Sequence, residues 1–152
     1  MAETATATPL ELSLRAVPSC VRDVREAAAG AARELGMSKR VVEDIRLCVS
    51  EAVTNVVRHA YVGEVGVVNV RFERLGRGVL VVVRDFGSGW TTPGTRSREL
   101  GGFGWRLIRA LADRTTVTST SADGTRVAMS FGTRSPEVAP RPAAASAHAS
   151  DP

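Results

Sequence analysis

The segment from residue 66 to residue 85 limits the possible folds more than any other part of the chain. Its first half, "GVVNVRFERL" (66–75), alternates apolar and polar residues, which is typical of a half-buried strand. "GRG" (76–78) follows and is a hairpin turn signal. "VLVVVRD" (79–85) is then almost continuously apolar, as expected for a strand buried on both faces. The sequence therefore predicts an antiparallel hairpin whose second strand lies in the middle of a sheet.

Further elements flank this hairpin in the order β-α-α-β-β-α-β-β. A second hairpin is predicted near the end of the chain, so antiparallel pairing should dominate. Amphipathic helices need a sheet face to cover, and the simplest arrangement is α+β. We expect a two-layer α/β sandwich with the helices on one face of a mixed, mostly antiparallel sheet. The supporting segments are a strand at 10–17, a helix N-capped by Ser19 and stopped at Gly36, a helix opened by Ser38, a short helix at 104–113, a strand at 115–121, a turn at 122–125 and a strand at 126–131.

The length of 152 residues predicts one domain. Residues 1–8 are rich in Ala and Thr, and residues 133–152 are rich in Pro, Ala and Ser without an apolar period. Both segments are expected to be disordered. The folded domain is therefore predicted to span residues 9–132.

Several functional classes are disfavoured by composition. The net charge is +4, but the arginines are scattered beside acids and form no basic run, so direct nucleic-acid binding is a weaker alternative. No leader or long apolar stretch is evident, so we expect a cytoplasmic protein without a membrane anchor. The two cysteines form no CxxC pair, and we expect reduced core thiols rather than a zinc site.

Glu51 and Asn55 stand four residues apart in "EAVTNVVRHAY" (51–61), within a helical apolar pattern. Residues at i and i+4 project from the same side of a helix, and Arg58 follows one turn later. Asn is a poor helix former, so its place there needs a reason. Carboxylate and amide oxygens suit Mg²⁺, which usually takes one or two protein ligands together with phosphate oxygens and waters. The alternative is a polar helix face that only meets water.

Two glycine-rich segments supply further candidates. "DFGSGW" (85–90) ends the buried strand with Asp85, and Gly87 and Gly89 permit tight turns and close approach of a ligand. Asp85 can accept a hydrogen bond from an exocyclic amine, although it can equally cap a plain turn.

"GGFGWRLI" (101–108) leads glycines straight into a helix, where backbone N–H groups favour an anion. Gly102 and Gly104 are therefore candidates for phosphate contact. A protein-kinase interpretation of "DFG" fails because the chain has no HRD segment and no VAIK strand. A Rossmann interpretation fails because no GxGxxG opening is present.

The order of the three motifs resembles the ATPase superfamily of gyrase, the heat-shock-90 chaperones, histidine kinases and mismatch-repair ATPases, which share the Bergerat ATP-binding fold. The compact size and the sequence of the segment "EAVTNVVRHAY" resemble those of the bacterial anti-sigma-factor serine/threonine kinases.

That resemblance implies a role for each candidate residue. Asn55 would coordinate Mg²⁺, Glu51 would be the general base, and Asp85 would bind the adenine amino group of ATP. Gly87 and Gly89 would lie beside the base, and Gly102 and Gly104 beside the phosphates. Thr125 would assist adenine binding, and residues 90–101 would form a lid. From their positions alone, Arg58 and Arg106 are expected to meet phosphate charge.

The resemblance also implies partners. A serine on an anti-anti-sigma protein would accept the phosphoryl group, and the chain would sequester a sigma factor, as a homodimer. The alternative is an ATP-gated interaction module with little or no kinase activity.

Overall fold

The structure, a computed structural model, describes residues 9–89 and 103–133. The two segments predicted to be disordered, 1–8 and 133–152, lie outside these residues except for Thr133, and so does the predicted lid. The described elements, in chain order, are β1 Leu10–Arg15, α1 Pro18–Glu34, α2 Lys39–Asn55, a π-helical turn Val56–Ala60, β2 Val67–Leu75, β3 Gly78–Asp85, α3 Phe103–Leu111, β4 Arg114–Thr120 and β5 Gly124–Phe131. The predicted order of helices and strands is confirmed, with the π turn as an addition.

The described strands form one sheet in the order β1-β2-β3-β5-β4. β3 lies in the middle, as its apolar sequence predicts, with Val81 opposite Phe72 on one side and Met129 on the other. All four described pairings are antiparallel, so the sheet contains none of the parallel pairs that a mixed sheet would allow. The two-layer α+β architecture is confirmed.

The hairpin between β2 and β3 closes where the sequence predicts. Leu75 pairs with Gly78, which leaves Gly76 and Arg77 as the two turn residues. Gly76 has a φ of +58°, and a two-residue hairpin turn needs a positive φ at its first position. The turn sets the register that places the apolar residues of both strands on the same face.

The start of α1 differs from the prediction. Pro18 is the first helical residue, Val17 occupies the N-cap position with an extended backbone, and no side chain caps the helix. The predicted cap at Ser19 is wrong because proline already has the helical φ and lacks an N–H, which makes it well suited to the first helical position.

The predicted start of α2 is confirmed. Ser38 is its N-cap, and the Ser38 hydroxyl accepts a hydrogen bond from the Val41 N–H at 3.3 Å. This bond satisfies one of the free N–H groups of the first helical turn.

The core lies between the helices and one face of the sheet. α1 contributes small side chains that are fully buried, which lets α1 and α2 approach closely. Cys20 and Cys48 are free and buried, and burial raises the pKa of the Cys48 thiol to about 12, so this thiol stays neutral. The largest fully buried side chains include Phe131, Ile45, Ile108 and Met129.

No helix among the described residues is long and apolar enough to cross a membrane.

Candidate functional site

Glu51 and Asn55 lie on the edge of α2 that faces α3, between its buried and exposed sides. Both side chains are half-buried, while Cys48 and Ala52 beside them are buried. Within residues 9–89 and 103–133, neither the carboxylate nor the amide has a hydrogen bond or an ion pair. The two polar groups are thus partly withdrawn from water and remain available to a ligand, which argues against a polar face that merely meets solvent.

The Glu51 carboxylate lies directly against Gly104, the second residue of α3. A Cβ placed on Gly104 would overlap Glu51 Oε2. The structure therefore brings together two predicted site residues that are 53 positions apart in the sequence. It sets a carboxylate beside the N-terminal turn of a helix, where N–H groups favour negative charge. The other predicted phosphate-contacting glycine, Gly102, lies outside the described residues.

α2 changes at Asn55 into a π-helical turn that ends at Ala60. Such turns are rare and occur frequently at functional sites. The Ala60 carbonyl accepts a hydrogen bond from the Ser88 N–H at 3.2 Å, and a Cβ on Gly87 would overlap the same carbonyl. Gly87 is therefore required for the loop after β3 to lie against the end of the π turn.

Asp85 is the buried acid of the site, with 4% of its surface exposed. Its Oδ1 accepts hydrogen bonds from the Gly87 N–H at 3.0 Å and the Thr125 N–H at 3.1 Å. Burial raises the pKa of the Asp85 carboxyl, and the two hydrogen bonds oppose that rise only in part. Oδ2 accepts no hydrogen bond within the part of the chain that the structure describes, so one carboxylate oxygen is left for a ligand.

Gly89 and Thr125 attach the same loop to the far edge of the sheet. Gly89 has a φ of +62°, and a Cβ there would overlap the Thr120 carbonyl at the end of β4. The Thr125 hydroxyl lies 3.0 Å from the Ser119 hydroxyl. Asp85, Gly87, Gly89 and Thr125 therefore form one connected group, as the motif order predicts.

The two predicted arginines are less constrained. Arg58 lies in the π turn and Arg106 in the first turns of α3, and both are exposed. Neither forms an ion pair with another described residue. Their charges are available to an anion, but no contact in the structure directs them towards one.

Tyr61 is a site residue that the sequence analysis missed. Its hydroxyl donates a hydrogen bond to the Val67 carbonyl at 2.6 Å and accepts one from the Phe86 N–H at 2.9 Å. Its ring lies against Gly66, where a Cβ would overlap it. Tyr61 thereby joins the end of the π turn to the start of β2 and to the residue after Asp85. The available signal was the position of Tyr61 as the last residue of "EAVTNVVRHAY" (51–61).

Comparison with known proteins agrees with this geometry. The family model of the histidine kinase-like ATPase domain matches residues 14–131, which is most of the chain. The serine-protein kinase RsbW of Staphylococcus epidermidis is 34% identical over 124 residues, covering 71% of this chain and 77% of that protein. RsbW of Staphylococcus aureus strain JH9 is 32% identical over 123 residues, with the same shares covered.

A solved structure is also similar. It contains the RsbU and RsbW domains of Rv1364c from Mycobacterium tuberculosis and superimposes with a TM-score of 0.64 at 25% identity. The match covers 80% of this chain and 31% of that longer chain. Residues 14–131, which the family model matches, include the helix with Glu51 and Asn55, the buried Asp85 and the helix that contains Gly104. The chain belongs to the histidine kinase-like ATPase family and, within it, to the RsbW serine-protein kinases.

Proposed function

We propose that this protein binds ATP between α2, the loop after β3 and the N-terminus of α3, and transfers the γ-phosphoryl group to a serine of a protein partner. The observation that carries the proposal is the contact between the Glu51 carboxylate and Gly104. This carboxylate, which has no hydrogen bond or ion pair among the described residues, places a proton acceptor next to an anion-binding backbone at the N-terminal turn of a helix.

In the transfer step, a bond forms between the serine Oγ and the γ-phosphorus, and the bond from that phosphorus to the bridging oxygen of ADP breaks. Glu51 orients the serine hydroxyl and takes its proton as the bond forms. ADP leaves with the electrons of the broken bond. Phosphoryl transfer depends mainly on positioning and charge neutralisation, and the fixed backbone around Glu51 suits that demand.

Asp85 recognises the adenine through its free Oδ2, which accepts a hydrogen bond from the exocyclic amine. The hydrogen bonds to Oδ1 hold the carboxylate in place, and Thr125 supports it from β5. Gly87 and Gly89 let the backbone approach the base closely. The family resemblance assigns Gly102 and Gly104 to the phosphates, and Arg58 and Arg106 would add positive charge there.

Mg²⁺ fits the donor set of this site. The described residues include no group of three or more His, Cys, Asp or Glu side chains that could hold a metal ion. These residues therefore do not supply a coordination shell made of protein ligands alone. Asn55 is half-buried and its amide oxygen accepts no hydrogen bond from a described residue, while Mg²⁺ commonly takes one or two protein oxygens together with phosphate oxygens. Asn55 would hold the ion, and Mg²⁺ would neutralise phosphate charge.

The partners follow from the family rather than from a surface of this chain. The serine acceptor is an anti-anti-sigma protein, and the chain sequesters a sigma factor in the cytoplasm as a homodimer. Direct nucleic-acid contact and membrane attachment are not part of the proposal.

Replacing Glu51 with Gln tests the proposal. We expect Glu51→Gln to lower phosphate transfer to a cognate anti-anti-sigma protein by at least about 100-fold, with ATP affinity within about threefold of the wild type. Transfer is measured with γ-labelled ATP, and affinity by calorimetry. Glu43→Gln is the matched control, because Glu43 is exposed on the same helix and its one ion pair among the described residues is with Arg46. Transfer by Glu51→Gln at the wild-type rate would exclude Glu51 as the base.

A further inference from the structure

The face of the sheet that points away from the helices carries a row of polar side chains in register. The helix-facing residues of β2 and β3 are buried, so the residues between them point outward, since side chains alternate along a strand. On this outer face, Asn69 pairs with Ser13 on one side and with Arg84 on the other, and Arg84 pairs in turn with Arg126. Four neighbouring strands therefore present one continuous outer row, which consists of Ser13, Asn69, Arg84 and Arg126.

Arg84 and Arg126 are two like charges directly opposite each other on neighbouring strands. Both are exposed, and neither forms an ion pair with another described residue. Like charges in this position destabilise a sheet. The Arg84 guanidinium lies over the Phe86 ring, 4.7 Å from its centroid, and stacking of this kind leaves the N–H groups at the edge of the guanidinium free to donate. The two arginines therefore favour an anion between them.

Asn69, the next residue of the outer row, has a buried acceptor. Its Oδ1 is buried and accepts no hydrogen bond within the part of the chain that the structure describes. Buried polar atoms in folded proteins nearly always have a hydrogen-bond partner. A ligand that donates a hydrogen bond to this oxygen is therefore favoured next to the two arginines.

A cavity of about 550 Å³ lies over the outer row. All four residues of the row line it, together with the apolar side chain of Val82. Its third arginine, Arg71, already forms ion pairs with Glu73 at 2.8 Å and with Glu11 at 3.5 Å. The uncompensated positive charge of the cavity therefore lies on the outer row, and the volume falls within the range of roughly 300–1,000 Å³ that small-molecule sites occupy.

We propose that this cavity binds a small phosphomonoester that carries hydroxyl groups, with the size and chemistry of a sugar phosphate. The phosphate dianion would lie between Arg84 and Arg126, because two guanidinium groups match its charge and its oxygens accept their paired N–H groups. A hydroxyl beside the phosphate would donate to Asn69 Oδ1. The carbon skeleton would lie against Val82.

This phosphomonoester site is separate from the proposed ATP site. Arg84 directly precedes Asp85, and Arg126 directly follows Thr125. Asp85 and Thr125 are buried and belong to the opposite face of the sheet, because adjacent residues of a strand point to opposite faces. The inference therefore does not rest on the proposed kinase function.

Calorimetry with three small molecules tests the site on the full chain. Glycerol 3-phosphate carries hydroxyls beside a phosphate, methyl phosphate carries a phosphate without a hydroxyl, and glycerate carries hydroxyls beside a carboxylate. Each is titrated at low salt, with and without a saturating concentration of ADP. The ADP shows whether a probe binds at the nucleotide site instead.

We expect the wild type to bind glycerol 3-phosphate equally well with and without ADP, and to bind the other two probes at least about threefold more weakly. Arg84→Gln and Arg126→Gln should each weaken the binding of glycerol 3-phosphate by at least about tenfold, the loss of a charge-assisted hydrogen bond. Arg77→Gln is the matched control and should bind like the wild type, because Arg77 is exposed in the β2–β3 turn and does not line the cavity. Asn69→Ala should bind methyl phosphate like the wild type but lose the preference for glycerol 3-phosphate.

Three results would overturn the proposal. The first is that glycerol 3-phosphate does not bind the wild type, or binds Arg84→Gln equally tightly. The second is that ADP abolishes its binding, which would place the phosphate in the nucleotide site, or that glycerate binds as tightly, which would remove the requirement for a phosphate. The third comes from sedimentation: if the wild type is a dimer and Arg84→Gln is a monomer, the outer face is an interface between two copies of the chain instead.

Discussion

Glu51 has room for its carboxylate only because residue 104 lacks a side chain. The overlap that a Cβ would create involves the flexible end of the Glu51 side chain, so this carboxylate would rotate away rather than unfold the helix. At Gly87 the overlap involves the Ala60 carbonyl, which the backbone cannot move as easily. The two glycines therefore have different roles, since Gly104 leaves space for the proposed base and Gly87 leaves space for the loop after β3.

Gly104→Ala should separate activity from stability. We expect its free energy of unfolding to stay within about 1 kcal/mol of the wild type, because alanine favours the helix while Glu51 turns away. Phosphate transfer should fall by at least about tenfold, since the displaced base no longer meets the hydroxyl.

Gly30→Ala is the control for this substitution. Gly30 lies inside α1 and a Cβ there meets no atom within 4 Å, so alanine should stabilise the protein by about 0.5–1 kcal/mol. Transfer should be unchanged. Urea unfolding and labelled-phosphate transfer measure both variants, and a fully active Gly104→Ala would show that the contact with Glu51 is dispensable.

Asp85→Asn should lose adenine recognition without losing the fold. Both backbone N–H groups donate to Oδ1, and asparagine keeps that carbonyl oxygen. Its amide NH₂ group replaces Oδ2, however, and would face the adenine amine. Both groups are hydrogen-bond donors, so no hydrogen bond forms between them. We expect ATP affinity to fall by about 10- to 100-fold, the loss of a hydrogen bond to a charged group.

The stability of Asp85→Asn should depend on pH in a defined direction. Burial raises the pKa of Asp85 in the folded state, so protonation of Asp85 favours folding below roughly pH 4, and that stabilisation is lost as the pH rises through the folded pKa. Asparagine has no such loss, so the stability of the variant relative to the wild type should rise as the pH is raised from about 4 through the folded-state pKa of Asp85. Urea unfolding of both proteins across this range measures the difference in their free energies of unfolding. If the variant instead loses stability relative to the wild type as the pH rises, burial does not raise the pKa of Asp85.

At the scale of the elements, the π turn Val56–Ala60 joins the two halves of the site. It follows Asn55 directly, and its last carbonyl accepts a hydrogen bond from Ser88 in the loop after Asp85. Tyr61 then fixes this junction through two hydrogen bonds to backbone groups. The relative position of Asn55 and Asp85 thus depends on a short junction rather than on the core alone.

Tyr61→Phe should loosen that junction. Loss of the hydroxyl removes the partner of the Phe86 N–H and the donor to the Val67 carbonyl, and we expect a loss of about 1–2 kcal/mol in unfolding free energy. ATP affinity should fall as well. Amide hydrogen exchange should be faster at Phe86 and unchanged at Val81 in the centre of β3. Unchanged exchange at Phe86 would show that the hydroxyl does not hold the loop.

At the scale of the whole molecule, most of the fold could be predicted because hydrophobic periodicity differs between helix and strand. The hairpin at Gly76 and the cap at Ser38 follow from local chemistry and were predicted in place. The central position of β3 followed from its continuous apolar sequence. The family resemblance implied adenine-binding roles for Asp85 and Thr125, and the structure places the two residues in hydrogen-bond contact.

Other features depend on contacts that local patterns do not show. The π turn was missed because Val56 and Ala60 are buried four residues apart, which is also the spacing of an ordinary helix. Tyr61 was missed because its partners are backbone groups that only the folded chain brings together. The contact of Glu51 with Gly104 depends on how α2 and α3 pack, which no spacing within either helix reveals.

The packing of α2 leaves the Asn55 amide without a hydrogen bond to any residue that the structure describes, and we propose that this amide holds the metal that ATP brings. The direct test is calorimetric titration of the protein with ATP, with and without Mg²⁺, for the wild type, Asn55→Ala and Asn69→Ala. Asn69 is the matched control, because it lies on β2 with its side chain towards the opposite face of the sheet. We expect Mg²⁺-dependent binding in the wild type and in Asn69→Ala, and a loss of at least about tenfold in Asn55→Ala. Binding of ATP that is equally tight in Asn55→Ala, or no binding in the wild type, would contradict the account.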